Sequence, residues 1–239
     1  VYEMKPQQYS PAHTNPDLAE LVCSNSFRSD ALQSGPGLLK SEMRSLDSLI
    51  MSAAEKARVP AGKALAVDRD EFAATITDCL HNARGVDIRR REVSSVSDPE
   101  LTAFTQVIVA AGPLASPDLT SSLLQRTQEE GLFFYDAIAP IVSADSINWD
   151  RVFWGSRYDP ESRDYVNCPM DEKTYHSLRQ GMLTGERVVS KDFEAQIHFE
   201  GCLPVETMAE RGEMTLAFGP LKPVGLVDPR TGERPFAVL

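Results

Sequence analysis

The sequence predicts an α/β fold of the doubly wound type, followed by a smaller α+β domain. Val1-Tyr2-Glu3 is typical of the end of a buried strand. From Gly37 to Ala53 apolar residues recur at helical spacing. The continuous apolar run at 106–110, followed closely by Gly112, is typical of a parallel strand covered on both faces. Strand, helices and a strand ending at glycine form a doubly wound unit, which gathers ligands at the carboxyl ends of its strands.

A second helix is predicted after the break at Val59-Pro60-Ala61-Gly62, with Asp68 or Asp70 as its cap. Phe72 and Ile76 share one face of this helix with Cys79. Cys79 is therefore predicted to be a buried structural cysteine.

The chain changes character after residue 113. A helix capped by Ser116 precedes an apolar segment at 132–142 and three aromatic, turn-rich segments, 149–158, 165–170 and 193–199. These features predict an inserted α+β domain at 115–225, between residues 1–114, a partial first domain, and residues 226–239, which start the return to it. Because both ends fall in apparent strands, we expect the chain to be a piece of a longer protein.

The composition is that of a soluble globular protein, with 42% hydrophobic and 25% charged residues among 239. No apolar run approaches the ~18–20 residues that a membrane span requires, and no signal peptide is apparent, so we expect a cytoplasmic location without a membrane partner. The net charge of −11 disfavours binding driven by nucleic-acid phosphates. The basic run Arg89-Arg90-Arg91 is interpreted as a solvated strand end, with a local RNA contact as the alternative.

Four widely spaced cysteines form no CxxC pair, which argues against a zinc ribbon and a disulfide framework. No metal site is expected. Cys168 is interpreted as a packing residue at a strand end. Cys23 precedes Ser24 and Asn25, whose side chains offer hydrogen-bond donors to a thiolate. Cys202 lies in a glycine-cysteine turn between carboxylates. For Cys23 and Cys202 alike, a reactive thiol and a packed cysteine both remain open.

Glu3 stands at the end of the first strand. In dinucleotide-binding βαβ units an acid at the end of the second strand binds the ribose hydroxyls, after a glycine-rich turn about 20 residues earlier. That turn is absent from the sequence, so a solvated glutamate remains the alternative.

The chain strongly resembles the TrmFO family. The matching runs extend over nearly its whole length, in the family's order. They are VYEMKP, PAH, AELVCSNSFRS, GLLKSEMRSLDSLIM, VPAGKALAVDRDEF, AAGPLAS, FFYDAIAPIVSADSI, SRYD, YVNCPM, HFEGCLPVETMAERG, LAFGPLKPVGL and DPRTGERPFAV.

This resemblance implies a Rossmann-like FAD-binding domain, incomplete here, with an inserted smaller domain. It implies FAD as the cofactor, NAD(P)H as the reductant and methylenetetrahydrofolate as the one-carbon donor. The implied reaction is methylation of the T-loop uridine of tRNA to 5-methyluridine.

Carried over by position, Glu3 matches the ribose-binding acid and Gly112 the glycine beneath the cofactor. Lys5, Ser24 and Asn25 complete the expected cofactor-binding set. The chain departs from the family's pattern at three positions: Lys5 replaces an arginine, Lys63 a glycine and Ala111 a threonine.

The two matching cysteines of the family are Cys23, on the flavin side, and Cys202. A thiolate that adds to carbon six of uracil makes carbon five nucleophilic. We predict that Cys202 attacks and that Cys23 acts as base or flavin-side partner, and the reverse assignment remains open. Two other functions are considered: a related flavoprotein subunit that modifies the tRNA wobble uridine, and a non-catalytic remnant or interaction module.

Overall fold

A computed structural model describes residues 1–10, 12–22, 24–112, 114–127, 142–157, 162–186 and 203–239. The chain divides into two compact units. Unit 1 comprises Val1–Val59 and Ala64–Asp136, and unit 2 comprises Pro60–Lys63 and Ala137–Leu239. The predicted segments 132–141 and 193–199 lie outside the described residues. The domain boundaries given above stay predictions, and residues 226–239 group with unit 2.

Unit 1 combines a parallel strand pair with an antiparallel sheet. Its strands are β1 (Tyr2–Glu3), β2 (Ser26–Ser29), β3 (Arg58–Val59), β4 (Ala64–Val67) and β5 (Arg89–Arg90). β1 pairs in parallel with β5, which places Glu3 opposite Arg90. β4 lies between β2 and β3 in an antiparallel sheet that the sequence did not predict. The mixture of helices with parallel pairing agrees with the α/β class.

The apolar stretch after Gly37 forms two helices, α1 (Gly35–Ser45) and α2 (Leu49–Lys56). The prediction of one buried face over both is wrong, because Leu38 is 52% and Leu46 81% exposed. The chain turns at Asp47, whose φ of 52° is left-handed. This turn changes the direction of the chain, so the buried face of α2, which carries Met51, Ala53 and Ala54, does not continue that of α1.

The helix α3 (Arg69–Asn82) confirms the predicted cap, since the side chain of Asp68 accepts a hydrogen bond from the amide of Glu71. Phe72 and Ile76 are buried as predicted, but Cys79 is exposed, so its assignment to the core is wrong. At 3.6 residues per turn, Cys79 lies about 90° from the centre of the buried stripe. That stripe runs through Phe72, Ala73, Ile76 and Thr77.

The exposed position of Cys79 makes a direct prediction for its chemistry. In the native protein Cys79 is expected to react with iodoacetamide at the rate of an unhindered thiol, within about threefold of the unfolded chain, because reactivity follows access. Mass spectrometry of tryptic peptides after timed alkylation measures this rate. Labelling only upon unfolding would contradict the exposed position.

The apolar run 106–110 forms no strand among the described residues, and Ile108 is 89% exposed. The prediction of a buried parallel strand is therefore wrong for this structure. Hydrophobicity indicates a tendency to be buried, but a strand also requires neighbouring strands for its backbone groups, and none of the described strands pairs with this run. The helix α4 (Pro117–Thr127) follows, and the predicted cap is confirmed because the hydroxyl of Ser116 accepts from the amide of Leu119.

Within its described residues, unit 2 contains two antiparallel strand pairs and three α-helices. β6 (Phe153–Trp154) pairs with β7 (Val166–Asn167), and β8 (Pro169–Met170) pairs with β9 (Ala237–Val238). The helices are α5 (Glu172–Thr184), α6 (Val205–Arg211) and α7 (Thr215–Phe218). Their core packs around Tyr175 and Leu216, both fully buried. None of the helices in the described ranges is long and apolar enough to cross a membrane.

Candidate functional site

Glu3 lies at the carboxyl end of β1, where its carboxylate is held by the backbone. Its Oε1 accepts a hydrogen bond of 2.9 Å from the amide of Lys5. The described part of the chain makes no hydrogen bond to the other oxygen, Oε2, and the side chain is half-buried. A fixed carboxylate with a vacant acceptor at a strand end fits the pair of hydroxyls of a ribose.

Lys5 is only 2% exposed, and its ammonium group is bound inside unit 1. Nζ donates to the carbonyl oxygen of Asp17 at 2.5 Å and to Oε2 of Glu20 at 3.2 Å. The contacts support a role in positioning the end of β1. That Lys5 touches a cofactor stays a prediction.

Glu20 accepts three further hydrogen bonds through its other oxygen. Oε1 receives the amide of Thr14 at 2.8 Å, the hydroxyl of Thr14 at 3.0 Å and the amide of Asn15 at 3.2 Å. Burial alone would raise the pKa of Glu20, but the hydrogen bonds from Thr14, Lys5 and Asn15 outweigh it and lower the pKa. Glu20 is therefore ionised at neutral pH and ties residues 14–20 to the end of β1.

His13 lies in the same loop, with Nδ1 at 2.5 Å from the hydroxyl of Ser10. Burial, and then the positive charge of Lys5, lower the pKa of His13 below its ordinary value of 6.5. At neutral pH the imidazole is therefore mainly uncharged, the form that can accept a proton. Sequence reasoning missed the cluster of Lys5, His13 and Glu20. The one feature of the sequence that pointed to this cluster was the position of Glu20, three residues before Cys23.

The three arginines after residue 88 lie in β5 and directly after it, and all three are engaged within unit 1. Arg90 Nη1 donates to the carbonyl oxygens of Lys5 and Pro16 at 3.1 and 2.8 Å. Arg89 pairs with Glu100, and Arg91 pairs with Glu100 and Asp98. These contacts favour the strand-end interpretation over an RNA contact, because Arg89 and Arg91 are paired with carboxylates and Arg90 is held by backbone carbonyl oxygens.

Ser24 and Asn25 lie immediately before β2. Ser24 is exposed, and its hydroxyl accepts from the amide of Ser26 at 3.1 Å. Asn25 extends the pairing with β4, since its side-chain amide donates to the carbonyl oxygen of Val67 at 3.0 Å while its own carbonyl oxygen accepts from the Val67 amide. Their contact with a cofactor stays a prediction. Cys23 lies outside the described residues.

Gly112 has a φ of +73°, which favours glycine, and a side chain there would meet no atom within 4 Å. Its place beneath a cofactor stays a prediction. Cys202 lies outside the described residues.

Cys168 exchanges backbone hydrogen bonds of 2.8 and 3.0 Å with Leu239, as expected of a packing residue in a short strand pair. Hydrogen bonds thus link Glu3 to Lys5, and Lys5 to Glu20, while Ser24 and Asn25 lie immediately before β2.

No group of three or more His, Cys, Asp or Glu side chains within the described ranges is arranged to hold a metal ion. The chemical groups that the described site presents are carboxylates, a buried ammonium group and a neutral imidazole.

Comparison with known proteins identifies the family. The family model described as "Glucose inhibited division protein A" matches residues 7–237. Over the whole chain, 58% of residues are identical to a methylenetetrahydrofolate–tRNA-(uracil-5-)-methyltransferase TrmFO of Oleidesulfovibrio alaskensis, of which the match covers 54%. The proteins of the same name from Lawsonia intracellularis and a Sulfurihydrogenibium species are 53% and 46% identical, with 54% and 53% of their lengths covered. The chain thus spans about half the length of the curated relatives it matches. Since the family model matches almost all of the chain, the chain belongs to the glucose inhibited division protein A family.

Proposed function

We propose that this chain serves a flavin- and folate-dependent methylation of uridine at carbon five in the T-loop of tRNA. The observation that carries the proposal is 58% identity over all 239 residues to a protein with that enzyme name. The one-carbon donor would be methylenetetrahydrofolate, the reductant NAD(P)H and the location the cytoplasm. The polar, fixed end of β1 supports the cofactor part of the proposal.

The residues at that end fit FAD in their chemistry. Glu3 would hold the ribose hydroxyls through its vacant oxygen, and Lys5 with Glu20 would keep the strand end in place. Gly112 would let the backbone pass close to the cofactor, since it carries no side chain. When bound, FAD would supply the redox chemistry that the side chains of the chain lack.

The proposed chemistry of the chain's own residues rests on two thiols. The Cys202 thiolate would form a bond to carbon six of uracil, which moves an electron pair onto the carbon-four oxygen as an enolate. Carbon five of that enolate would bond to the methylene carbon of the donor. Cys23 would then remove the proton from carbon five, and the bond between the methylene carbon and its carrier nitrogen would break. A hydride, which NAD(P)H would supply by way of FAD, would reduce the methylene to a methyl group, and expulsion of the Cys202 thiolate would restore the ring.

A trapped adduct tests this assignment. With FAD, methylenetetrahydrofolate and NADPH present, a T-loop RNA carrying 5-fluorouridine is expected to form a covalent complex, because fluorine at carbon five blocks the proton removal that releases the enzyme. Cys202→Ala is expected to abolish the complex, as measured by a shift in denaturing gel electrophoresis and by mass.

The exposed Cys79 provides the matched control, since Cys79→Ala removes a thiol of α3 that has no part in the proposal. A complex that survives Cys202→Ala and disappears in Cys23→Ala would reverse the two roles. A chain that forms no complex and retains no yellow colour after incubation with FAD and removal of the free cofactor would instead support the non-catalytic module. Activity on a wobble-position RNA but not on the T-loop would support the related flavoprotein subunit.

A further inference from the structure

Two tryptophans lie exposed and stacked on each other in unit 2. Trp149 belongs to a short 3₁₀ turn, Trp149–Arg151, and Trp154 ends β6. Their ring centroids are 5.5 Å apart with planes inclined by 21°. They are 46% and 48% exposed, so aromatic surface on this pair faces solvent. We call Trp149 and Trp154 the tryptophan pair.

The rest of unit 2 holds the tryptophan pair in place. Phe153, the neighbour of Trp154, points into a buried cluster with Leu226 and Val238. Strand alternation therefore directs Trp154 outward, where it lies opposite Val166 of β7. An aromatic surface fixed by a strand loses little conformational entropy when a ligand stacks on it.

The 3₁₀ turn that carries Trp149 is anchored from a second direction. Nη1 of Arg230 donates to the carbonyl oxygen of Asp150 at 2.7 Å. Asp228 in turn holds the same guanidinium through two hydrogen bonds, of 2.9 and 2.6 Å, and its side chain is 7% exposed. Both tryptophans are thus placed before any ligand arrives.

The charge around the pair indicates which kind of ligand it suits. Arg151 is exposed in the same turn, and no carboxylate of the described residues forms an ion pair with it. Asp150 stands beside it, so the local net charge is small. Affinity at this surface would therefore come from stacking on aromatic rings and from one arginine, not from neutralising many phosphates.

We propose that the tryptophan pair is a docking platform for an unpaired base of a single-stranded RNA loop. Every nucleobase has a flat π face, and loop bases are free to leave their stack, whereas bases in a duplex are covered by their neighbours. Arg151 would contact the adjacent phosphate or stack on the next base. That the RNA is a tRNA T-loop rests on the proposed function. That a base stacks on the tryptophan pair rests on the exposure and geometry of the two rings.

The chain offers an internal probe, because Trp149 and Trp154 are its two tryptophans. Fluorescence excited at the tryptophan band therefore reports on this surface alone. A T-arm stem-loop RNA is expected to quench it in a saturable way, and the same sequence closed into a full duplex is expected not to. No FAD, folate or reductant is needed for this measurement.

Substitutions measured with a labelled stem-loop and fluorescence anisotropy test the role of the rings. Trp154→Ala and Trp149→Ala are each expected to weaken binding about tenfold, the usual effect of losing one base–aromatic stack, while Trp154→Phe retains most of the affinity. Phe218→Ala is the matched control, because Phe218 is an exposed aromatic of the same unit, 79% accessible, on α7. The affinity is expected to depend only weakly on salt.

Several results would overturn the platform. One is an unchanged affinity in Trp149→Ala/Trp154→Ala with a native circular dichroism spectrum. A second is quenching by NADPH that the stem-loop cannot displace, which would assign the pair to a dinucleotide. A third is self-association that the double substitution abolishes, which would assign it to a second copy. Methylation without quenching would retain the proposed function and reject the platform. Quenching without methylation would retain the platform and reject the proposed function.

Discussion

Replacing Lys5 with methionine is expected to lower the free energy of unfolding of unit 1 by about 3–5 kcal/mol. The two side chains of the ion pair with Glu20 are only 3% and 8% exposed. Methionine fills a similar volume but leaves the Glu20 carboxylate without its cation in a dry environment. It also removes the hydrogen bond to the carbonyl oxygen of Asp17. An unpaired buried charge costs more than the intact pair contributes, so the loss exceeds that of an ordinary surface contact.

Urea unfolding followed by far-ultraviolet circular dichroism measures this loss. Lys56→Met is the matched control, because Lys56 is exposed and its ammonium donates a hydrogen bond to the hydroxyl of Thr75 rather than to a buried carboxylate. We expect a change below about 0.5 kcal/mol for this control. Lys5→Arg should retain more stability than Lys5→Met, since it keeps the positive charge. Equal unfolding midpoints for Lys5→Met and Lys56→Met would show that the ion pair contributes nothing.

The same pair makes the stability of unit 1 depend on acid. The folded state lowers the pKa of Glu20 below its ordinary value of 4.5, so the carboxylate stabilises the fold fully above that value. This contribution is lost as the pH falls through the folded-state pKa. Removing Lys5 removes one cause of the lowered pKa. Lys5→Met should therefore lose less stability than the wild type when the pH falls from about 5 towards the lowered pKa.

Local signals were enough to predict the caps and the centre of α3. Asp68 and Ser116 begin their helices as expected, because an N-cap depends only on the amides of the next two or three residues. Phe72 and Ile76 are buried because helical spacing fixes their common face.

Signals that depend on distant partners were less informative. Ile108 is exposed although its run is strongly apolar, since a sequence run does not reveal whether a strand lies beside it. Cys79 was assigned to the core from spacing alone, yet the buried stripe is centred between Ile76 and Ala73 and leaves Cys79 at its edge. Leu46 is exposed because a left-handed residue, Asp47, ends α1 earlier than the pattern suggests.

The candidate site shows the same division. The position of Glu3 at a strand end followed from the sequence, and β1 ends there. The partnership of Lys5 with Glu20 did not follow, because it depends on the path of the loop that brings residue 20 back to the strand. The family pattern marks Lys5 as a departure from arginine, and the structure gives that position a physical task, since a cation is needed against Glu20.

The tryptophan pair was visible in the sequence only as an aromatic, turn-rich segment. Its exposure depends on the register of β6, which directs Phe153 inward and Trp154 outward. Because β6 has only two residues, the alternation of its side chains does not reveal from the sequence which residue is buried and which is exposed. The arrangement of the tryptophan pair was therefore visible only in the structure.

Replacing Tyr175 with alanine is expected to destabilise unit 2 by about 3–5 kcal/mol, the usual cost of removing a large buried aromatic side chain. Tyr175 has no exposed surface, and its ring lies 5.4 Å from that of Phe236. It joins α5 to β9 and α7, so the cavity would open at the centre of the unit's core. The transition can be followed selectively, because both tryptophans of the chain lie in unit 2 and their fluorescence reports its unfolding.

Tyr175→Phe separates the ring from its hydroxyl. The hydroxyl donates to the carbonyl oxygen of Glu213 at 2.7 Å and accepts from the amide of Ala217 at 3.3 Å. Removing it leaves two backbone groups unpaired, at an expected cost of about 1–3 kcal/mol, with the ring packing retained. Tyr165→Phe, which removes a part-exposed hydroxyl bonded to the carbonyl oxygen of Ala61, is expected to cost less because water can replace its bond. A loss for Tyr175→Ala no larger than that for Tyr175→Phe would contradict a core centred on this ring, because it would assign the whole effect to the hydroxyl.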